Sequence, residues 1–354
     1  MELFVSQHFD DHERVVYGSD PRTGLRAIIA IHSTVLGPAV GGCRMWPYVS
    51  TEEATTDVLR LSRGMSYKNA LAGLPSGGGK AVIIGDPRHA KTPELFEAYG
   101  RFVESLAGRY ITAEDVGTSI ADMEQVARAT SYVTGLRREL GSAGGDPSPK
   151  TALGVLLGIQ QAAHFKWSAS DLRGRSVAIQ GLGGVGYNLC RLLAAEGAQL
   201  RVADTRAELV ERACEEFNAR AVPVESILTD DADILAPCAL GAVLNSRSIP
   251  QIRAAIVAGA ANNQLASLGD GESLERRGIL YAPDYVINAG GIISAVREYA
   301  GGATEAGVDS EIRRIPERLR EIFERSRHEK LPTNIVADDM ARAILRRHDN
   351  RLVA

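Results

Sequence analysis

The segment Gly181-Leu-Gly183-Gly184-Val185-Gly186 constrains this chain more than any other. A G-x-G-x-x-G match alone is weak, because 36 glycines produce chance matches. Its surroundings strengthen it. A buried apolar run, Ser176 to Gln180, leads in, and an apolar helical pattern over 184–196 leads out. A second run, Gln199 to Ala203, then ends in the acid Asp204. Strand, glycine turn, helix, strand and acid in that order predict a dinucleotide-binding βαβ unit. Gly181 allows the tight turn, Gly183 lets backbone approach a pyrophosphate, and Gly186 lets helix pack on strand. Gly184 and Val185 open the helix whose N-terminus faces the phosphates. Asp204 accepts hydrogen bonds from ribose hydroxyls. A 2′-phosphate there meets like charge, which favours NAD over NADP, although Arg206 stands close by.

More apolar runs follow at 232–235, 255–257 and 278–281, with a helical pattern over 206–218. This predicts a doubly wound parallel sheet. The first 130 residues read as a separate α/β layer. Arg14–Gly18 and Leu25–Ile31 form a hairpin around Asp20-Pro21. Residues 52–64 form a helix, and 81–85 and 109–113 buried strands. Between these strands Pro93–Leu106 is a helix, with Thr92 as N-cap and Pro93 at its first position. A Gly/Ser/Pro-rich linker occupies 141–150, a helix begins at Thr151, and Thr333 caps a last helix to about Arg347. The expected fold is therefore α/β with two domains separated by a cleft. Residues 1–140 plus 331–354 form a substrate and oligomerisation domain, and 141–330 an NAD-binding Rossmann domain.

Length fits two domains, and 45% hydrophobic with 24% charged residues fits a globular protein. A net charge of −4 without a basic block argues against a nucleic-acid partner. No apolar run suits a membrane span, and the N-terminus lacks the pattern of a secretory leader. Cys43, Cys190, Cys214 and Cys238 have no metal-site spacing and suit free thiols in a reducing cytoplasm.

A second glycine cluster, Ser76-Gly77-Gly78-Gly79-Lys80-Ala81, resembles a P-loop but lacks the Ser/Thr after the lysine and the following helix. It reads as a loop presenting Lys80 at the mouth of a buried strand. Lys68 ends the preceding helix, and Asp115 lies just past the strand at 109–113. One ammonium can clamp a substrate carboxylate as a point charge. The other, beside that cation and away from water, can serve as a base, with the carboxylate moving protons.

These motifs resemble the glutamate/leucine/phenylalanine/valine superfamily of amino-acid dehydrogenases, and within it most the leucine-acting members. The carriers are 36–45 (Leu-Gly-Pro-Ala-Val-Gly-Gly-Cys-Arg-Met), 65–70, 76–80, 111–118, 181–186, 257–263 and 281–291, nearly end to end. The resemblance implies reversible oxidative deamination, with NAD as cofactor. It implies Lys68 with backbone at Gly41 and Gly42 on the substrate carboxylate, Lys80 activating water, and Asp115 transferring protons. Asn262 and Asn288 match asparagines near the nicotinamide and substrate, and Thr151 a threonine near the carboxamide. Val40, Ala113, Ile292 and Ala295 match the side-chain pocket. All four are apolar, so a glutamate carboxylate is disfavoured and a leucine, valine or isoleucine side chain favoured. Val40 and Ala295 are smaller than the usual leucine and valine, which leaves phenylalanine or tryptophan open. A homo-oligomer, dimer or octamer, is also implied. An NAD(H) sensor without catalysis is the alternative of another class. Lys68, Lys80 and Asp115 argue against it.

Overall fold

The structure is a computed structural model that describes residues 3–6, 8–137 and 143–352. The chain forms two compact units. One comprises Met1–Pro147, Ile292–Val308 and Ala341–Ala354, and the other Ser148–Gly291 and Asp309–Met340.

The first unit runs β1 (Arg14–Asp20), β2 (Leu25–Ser33), β3 (Ala39–Trp46), α1 (Thr51–Leu71), β4 (Gly77–Ile84), α2 (Pro93–Glu104), β5 (Tyr110–Glu114) and α3 (Ile120–Val126). Its sheet order is β1-β2-β4-β3-β5. β1 and β2 form the expected antiparallel hairpin, and β3 lies parallel between β4 and β5. Both faces of the sheet are covered. Ile28, Ala30 and Val82 pack with Ala54, Val58 and Leu59 of α1. Ile29, Ile31, Ala81 and Ile83 pack with Phe96, Tyr99 and Met123 of α2 and α3. Burial on both faces explains why these strands read as continuous apolar runs. Ser50 caps α1 by accepting the Glu53 amide, and Thr92 caps α2 by accepting the Leu95 amide.

The second unit runs α4 (Ser148–Trp167), β6 (Ser176–Gln180), α5 (Gly184–Ala195), β7 (Gln199–Ala203), α6 (Ala207–Phe217), β8 (Arg220–Ala221), β9 (Ile234–Pro237), β10 (Ile256–Val257), α7 (Gly269–Arg276), β11 (Leu280–Tyr281) and α8 (Asp284–Ile287). Its sheet is parallel throughout, in the order β11-β10-β9-β6-β7-β8. The strand order reverses beside β6, where a doubly wound sheet binds its ligand. Four helices follow: α9 (Gly290–Ala300), α10 (Glu305–Ile312), α11 (Ile315–Glu329) and α12 (Thr333–Leu352).

Several expectations need correction. Residues 143–147 and 292–308 belong to the first unit and 331–340 to the second, unlike the expected boundaries. The cause for α9 is local. Thr134 Oγ1 donates to the Ala295 carbonyl at 2.9 Å, and Glu298 accepts the Gly135 and Leu136 amides. Gly77–Gly79 are not a loop; they lie inside β4. Thr333 is the first residue of α12 and not its cap, because its hydroxyl donates to the Tyr281 carbonyl. Part of the expected linker, 141 and 142, lies outside the described residues. Among the described residues no helix is long and apolar enough to cross a membrane, and no His/Cys/Asp/Glu group could hold a metal. The four cysteines are free.

Candidate active site

Two of the charged residues expected to carry chemistry, Lys80 and Asp115, meet in the first unit. Lys80 projects from the middle of β4 and is buried, and Asp115 follows the end of β5. Lys80 Nζ lies 3.0 Å from Asp115 Oδ2. Arg44, on β3, donates through Nε to the same oxygen at 3.2 Å. Burial works to raise the pKa of Asp115. Lys80 and Arg44 outweigh it and hold the carboxyl below the usual carboxylate range.

Glycines let these groups approach. The β3–β4 pairing lapses at Gly41 and Gly42, opposite Gly79 and Lys80, and resumes in the same register at Cys43. A Cβ at Gly42 would stand 2.8 Å from Asp115 Cβ, and one at Gly79 would stand 2.7 Å from the Tyr110 ring. None of Gly77, Gly78 and Gly79 has a positive φ. Glycine is required there for closeness and not for turning. The Tyr110 hydroxyl donates to the Gly41 carbonyl at 2.6 Å. Lys68 sits in the last turn of α1 between two contacts with β4. A Cβ on Gly78 would strike the Ser66 backbone, and Asn69 Nδ2 donates to the Gly77 carbonyl at 2.6 Å.

The four pocket-wall candidates lie in the same unit. Val40 is buried on β3, and Ala113 on β5 pairs with Gly42. Ile292 and Ala295 are partly buried on α9. Thr134, absent from the sequence reading, ties two of these walls together. Its amide donates to the Thr112 carbonyl at 2.8 Å and its hydroxyl to the Ala295 carbonyl. A lone threonine outside any motif gives no signal for this. Arg44, Asp57 and Tyr48 were missed as functional groups too, though Arg44 lies within the 36–45 motif. So was Glu114. Burial, together with Asp146, Asp115 and Glu298, raises its carboxyl to about 7.

The second unit gathers the dinucleotide candidates. Gly181 has φ +95°, which glycine alone adopts easily. A Cβ on Gly186 would strike the Gly181 carbonyl, whereas one on Gly183 would meet nothing within 4 Å. Gly183 is therefore open where a ligand backbone must come close. It caps α5, whose first turn includes Gly184 and Val185. Asp204 Oδ2 accepts the Leu182 amide at 2.6 Å, and Oδ1 accepts the Arg206 amide and Nε. Burial opposes ionisation of Asp204, but these donors prevail and lower its pKa. Asn288 Nδ2 donates to Asn262 Oδ1 at 2.8 Å, while Asn288 Oδ1 is buried with no hydrogen-bond partner among the described residues. Gly290 packs on the Lys150 carbonyl, next to Thr151. An open glycine, an ionised acid at the turn and an orphaned buried amide oxygen fit a bound dinucleotide.

Residues 12–132 match the model of the Glu/Leu/Phe/Val dehydrogenase dimerisation domain, and residues 199–342 that of Glutamate/Leucine/Phenylalanine/Valine dehydrogenase. The chain belongs to this family. It is an amino-acid dehydrogenase. It is 50% identical to leucine dehydrogenase of Geobacillus stearothermophilus over 96% of this chain and 92% of that one. Valine dehydrogenase of Streptomyces virginiae is 48% identical over 93% and 92%. The crystal structure of L-tryptophan dehydrogenase from Nostoc punctiforme superposes with a TM-score of 0.80 at 44% identity, covering 96% of this dehydrogenase and 97% of that chain.

Proposed function

We propose that this dehydrogenase converts an aliphatic L-amino acid, NAD⁺ and water reversibly into the 2-oxo acid, ammonium, NADH and a proton. The contact between Lys80 Nζ and Asp115 Oδ2 carries the reading. A buried lysine amine touching a carboxylate can exchange protons with it directly, which deamination requires and a sensor does not. The first unit takes the amino acid, and the second takes the nucleotide.

Lys68 binds the substrate α-carboxylate as a point charge, assisted by backbone at Gly41 and Gly42. Asp115 accepts a proton from the substrate ammonium. The bound nicotinamide supplies a hydride acceptor for Cα. Lys80, as the neutral amine, then takes a proton from the water that attacks the iminium carbon, steadies the carbinolamine by hydrogen bonding as the ammonium, and later releases that proton to solvent. Asp115 returns a proton to the leaving amine. On the second unit Gly181, Gly183, Gly184, Val185 and Gly186 form the pyrophosphate turn, and Asp204 binds the ribose hydroxyls. Arg206 is paired with Asp204, so it offers little to a 2′-phosphate. Asn262, Asn288 and Thr151 orient the nicotinamide and the substrate end.

Val40, Ala113, Ile292 and Ala295 offer no partner to a buried carboxylate, which disfavours glutamate. Leucine and valine dehydrogenases among the relatives support an aliphatic substrate. A second reading, an aromatic amino acid, rests on the small side chains of Val40 and Ala295 and on the tryptophan dehydrogenase neighbour. Free cysteines suit a reducing cytoplasm. The dimerisation-domain match supports a homo-oligomer, which a monomeric mass in light scattering refutes. The main test is a panel of L-amino acids with NAD⁺ and NADP⁺, followed by reduced-nicotinamide absorbance. Leucine with NAD⁺ should lead. Turnover of none of the panel would sink the reading.

A further inference from the structure

Four charges alternate in sign across the first unit. Asp57 Oδ2 accepts Arg44 Nη1 at 2.9 Å, Arg44 Nε binds Asp115 Oδ2 at 3.2 Å, and Lys80 Nζ binds that oxygen at 3.0 Å. The Tyr48 hydroxyl donates to Asp57 Oδ2 at 2.6 Å. The side chains of Arg44, Asp57 and Asp115 are only 20%, 24% and 16% exposed. Both cations bind the same oxygen of Asp115, and Oδ1 has no hydrogen-bond partner among the described residues.

We propose that Arg44, held from behind by Asp57 and Tyr48, is a positioning residue that fixes the Asp115 side chain by one oxygen and leaves the other to exchange the substrate proton. This rests on the reading of Asp115 as the proton-transfer group. The backbone of Asp115 does not need Arg44. Its amide donates to Thr118 Oγ1, that hydroxyl donates to the Cys43 carbonyl, and the Met45 amide donates to the Val116 carbonyl. These bonds fasten the loop to β3. What Arg44 sets is the rotamer. Only a guanidinium can do so here, because two separate nitrogens reach two separate carboxylates. A lysine offers one point charge. A misplaced proton acceptor weakens the reacting geometry more than it weakens substrate binding, so the loss falls on turnover.

The test uses the full-length enzyme with L-leucine and NAD⁺. Arg44→Met should lower kcat at least about tenfold and change KM for L-leucine by less than about threefold. Guanidinium, well below denaturing concentrations, should restore part of kcat, whereas sodium chloride should not. Asp57→Asn should lower kcat in the same direction by less. The double variant should be no slower than Arg44→Met, because Asp57 acts through Arg44. Wild-type kcat in Arg44→Met, or additive losses in the double variant, overturns the proposal. If Arg44→Met does not fold, Asp57→Asn decides, and unchanged kcat there overturns it. Asp115→Asn separates the two readings. Near-native turnover in that variant removes Asp115 from the reaction altogether. Loss there beside an unaffected Arg44→Met removes only Arg44.

Discussion

Lys80 Nζ and Asp115 Oδ2 stand 3.0 Å apart with side chains only 7% and 16% exposed. Lys80 lies within β4, and Asp115 directly follows β5 in a turn bonded to β3, so the pair is set by the fold. Lys80→Ala should therefore reduce deamination at least about 10²-fold. Adding Asp115→Asn should cost little more, because the two share one proton path. Initial rates of the single and double variants check this, and two independent, multiplying losses would contradict it.

Gly183 and Gly186 should separate ligand binding from stability. A Cβ at Gly183 has open space, but at Gly186 it strikes the Gly181 carbonyl. Gly183→Ala should keep the wild-type Tm and raise KM for NAD⁺. Gly186→Ala should lower Tm by several degrees, since overpacking costs about 1–3 kcal/mol. Calorimetry without nucleotide, paired with kinetics, distinguishes the two.

Glu114 should make stability fall through neutral pH. Its carboxyl is raised from 4.5 to about 7 by burial and by Asp146, Asp115 and Glu298. The folded chain thus holds a proton that the unfolded chain has released. The stabilisation is full below the unfolded value near 4.5 and is lost as pH rises through about 7. Glu114→Gln stays neutral, so above neutrality it should be more stable than the wild type by on the order of 1 kcal/mol, with a correspondingly higher Tm. A Tm difference independent of pH would refute this.

Restoring bulk to the pocket should narrow its preference. Val40→Leu and Ala295→Val each add wall at positions that the reading above assigns to the substrate side chain. The ratio of kcat/KM for L-phenylalanine to that for L-valine should fall by about 10-fold or more, since a methylene-sized change is worth about 1–3 kcal/mol. Competition kinetics with the two amino acids measure it.

What could be read in the sequence was what neighbours in the chain determine. The turn at Gly181, the strands on either side and Asp204 are contiguous, so their order revealed the unit. Thr92 and Pro93 announced α2 for the same reason. The glycines at 77–79 misled, because a sequence does not distinguish glycine needed for positive φ from glycine needed to admit a neighbour. Here the neighbours are Ser66 and Tyr110, from other elements. Thr333 fitted a capping pattern, but its hydroxyl is engaged by Tyr281, distant in the chain. The bond from Arg44 to Asp115 spans 71 positions, and that from Thr134 to Ala295 spans 161. Local spacing carries no trace of either.

The register of three parallel neighbours has a bearing on how such a centre can vary. Gly42 faces Ala113, Cys43 faces Ala81, and Arg44 faces Val82. Side chains alternate along a strand, so inserting or deleting one residue in β3 or β4 would turn Arg44 or Lys80 to the opposite face. Connections such as 85–92 do not set this alternation, so a change of length there leaves the faces as they are. The charged centre is thus inherited as a block. New substrates must be reached by exchanging side chains around it, and laboratory libraries that shuffle segments should cut outside these strands.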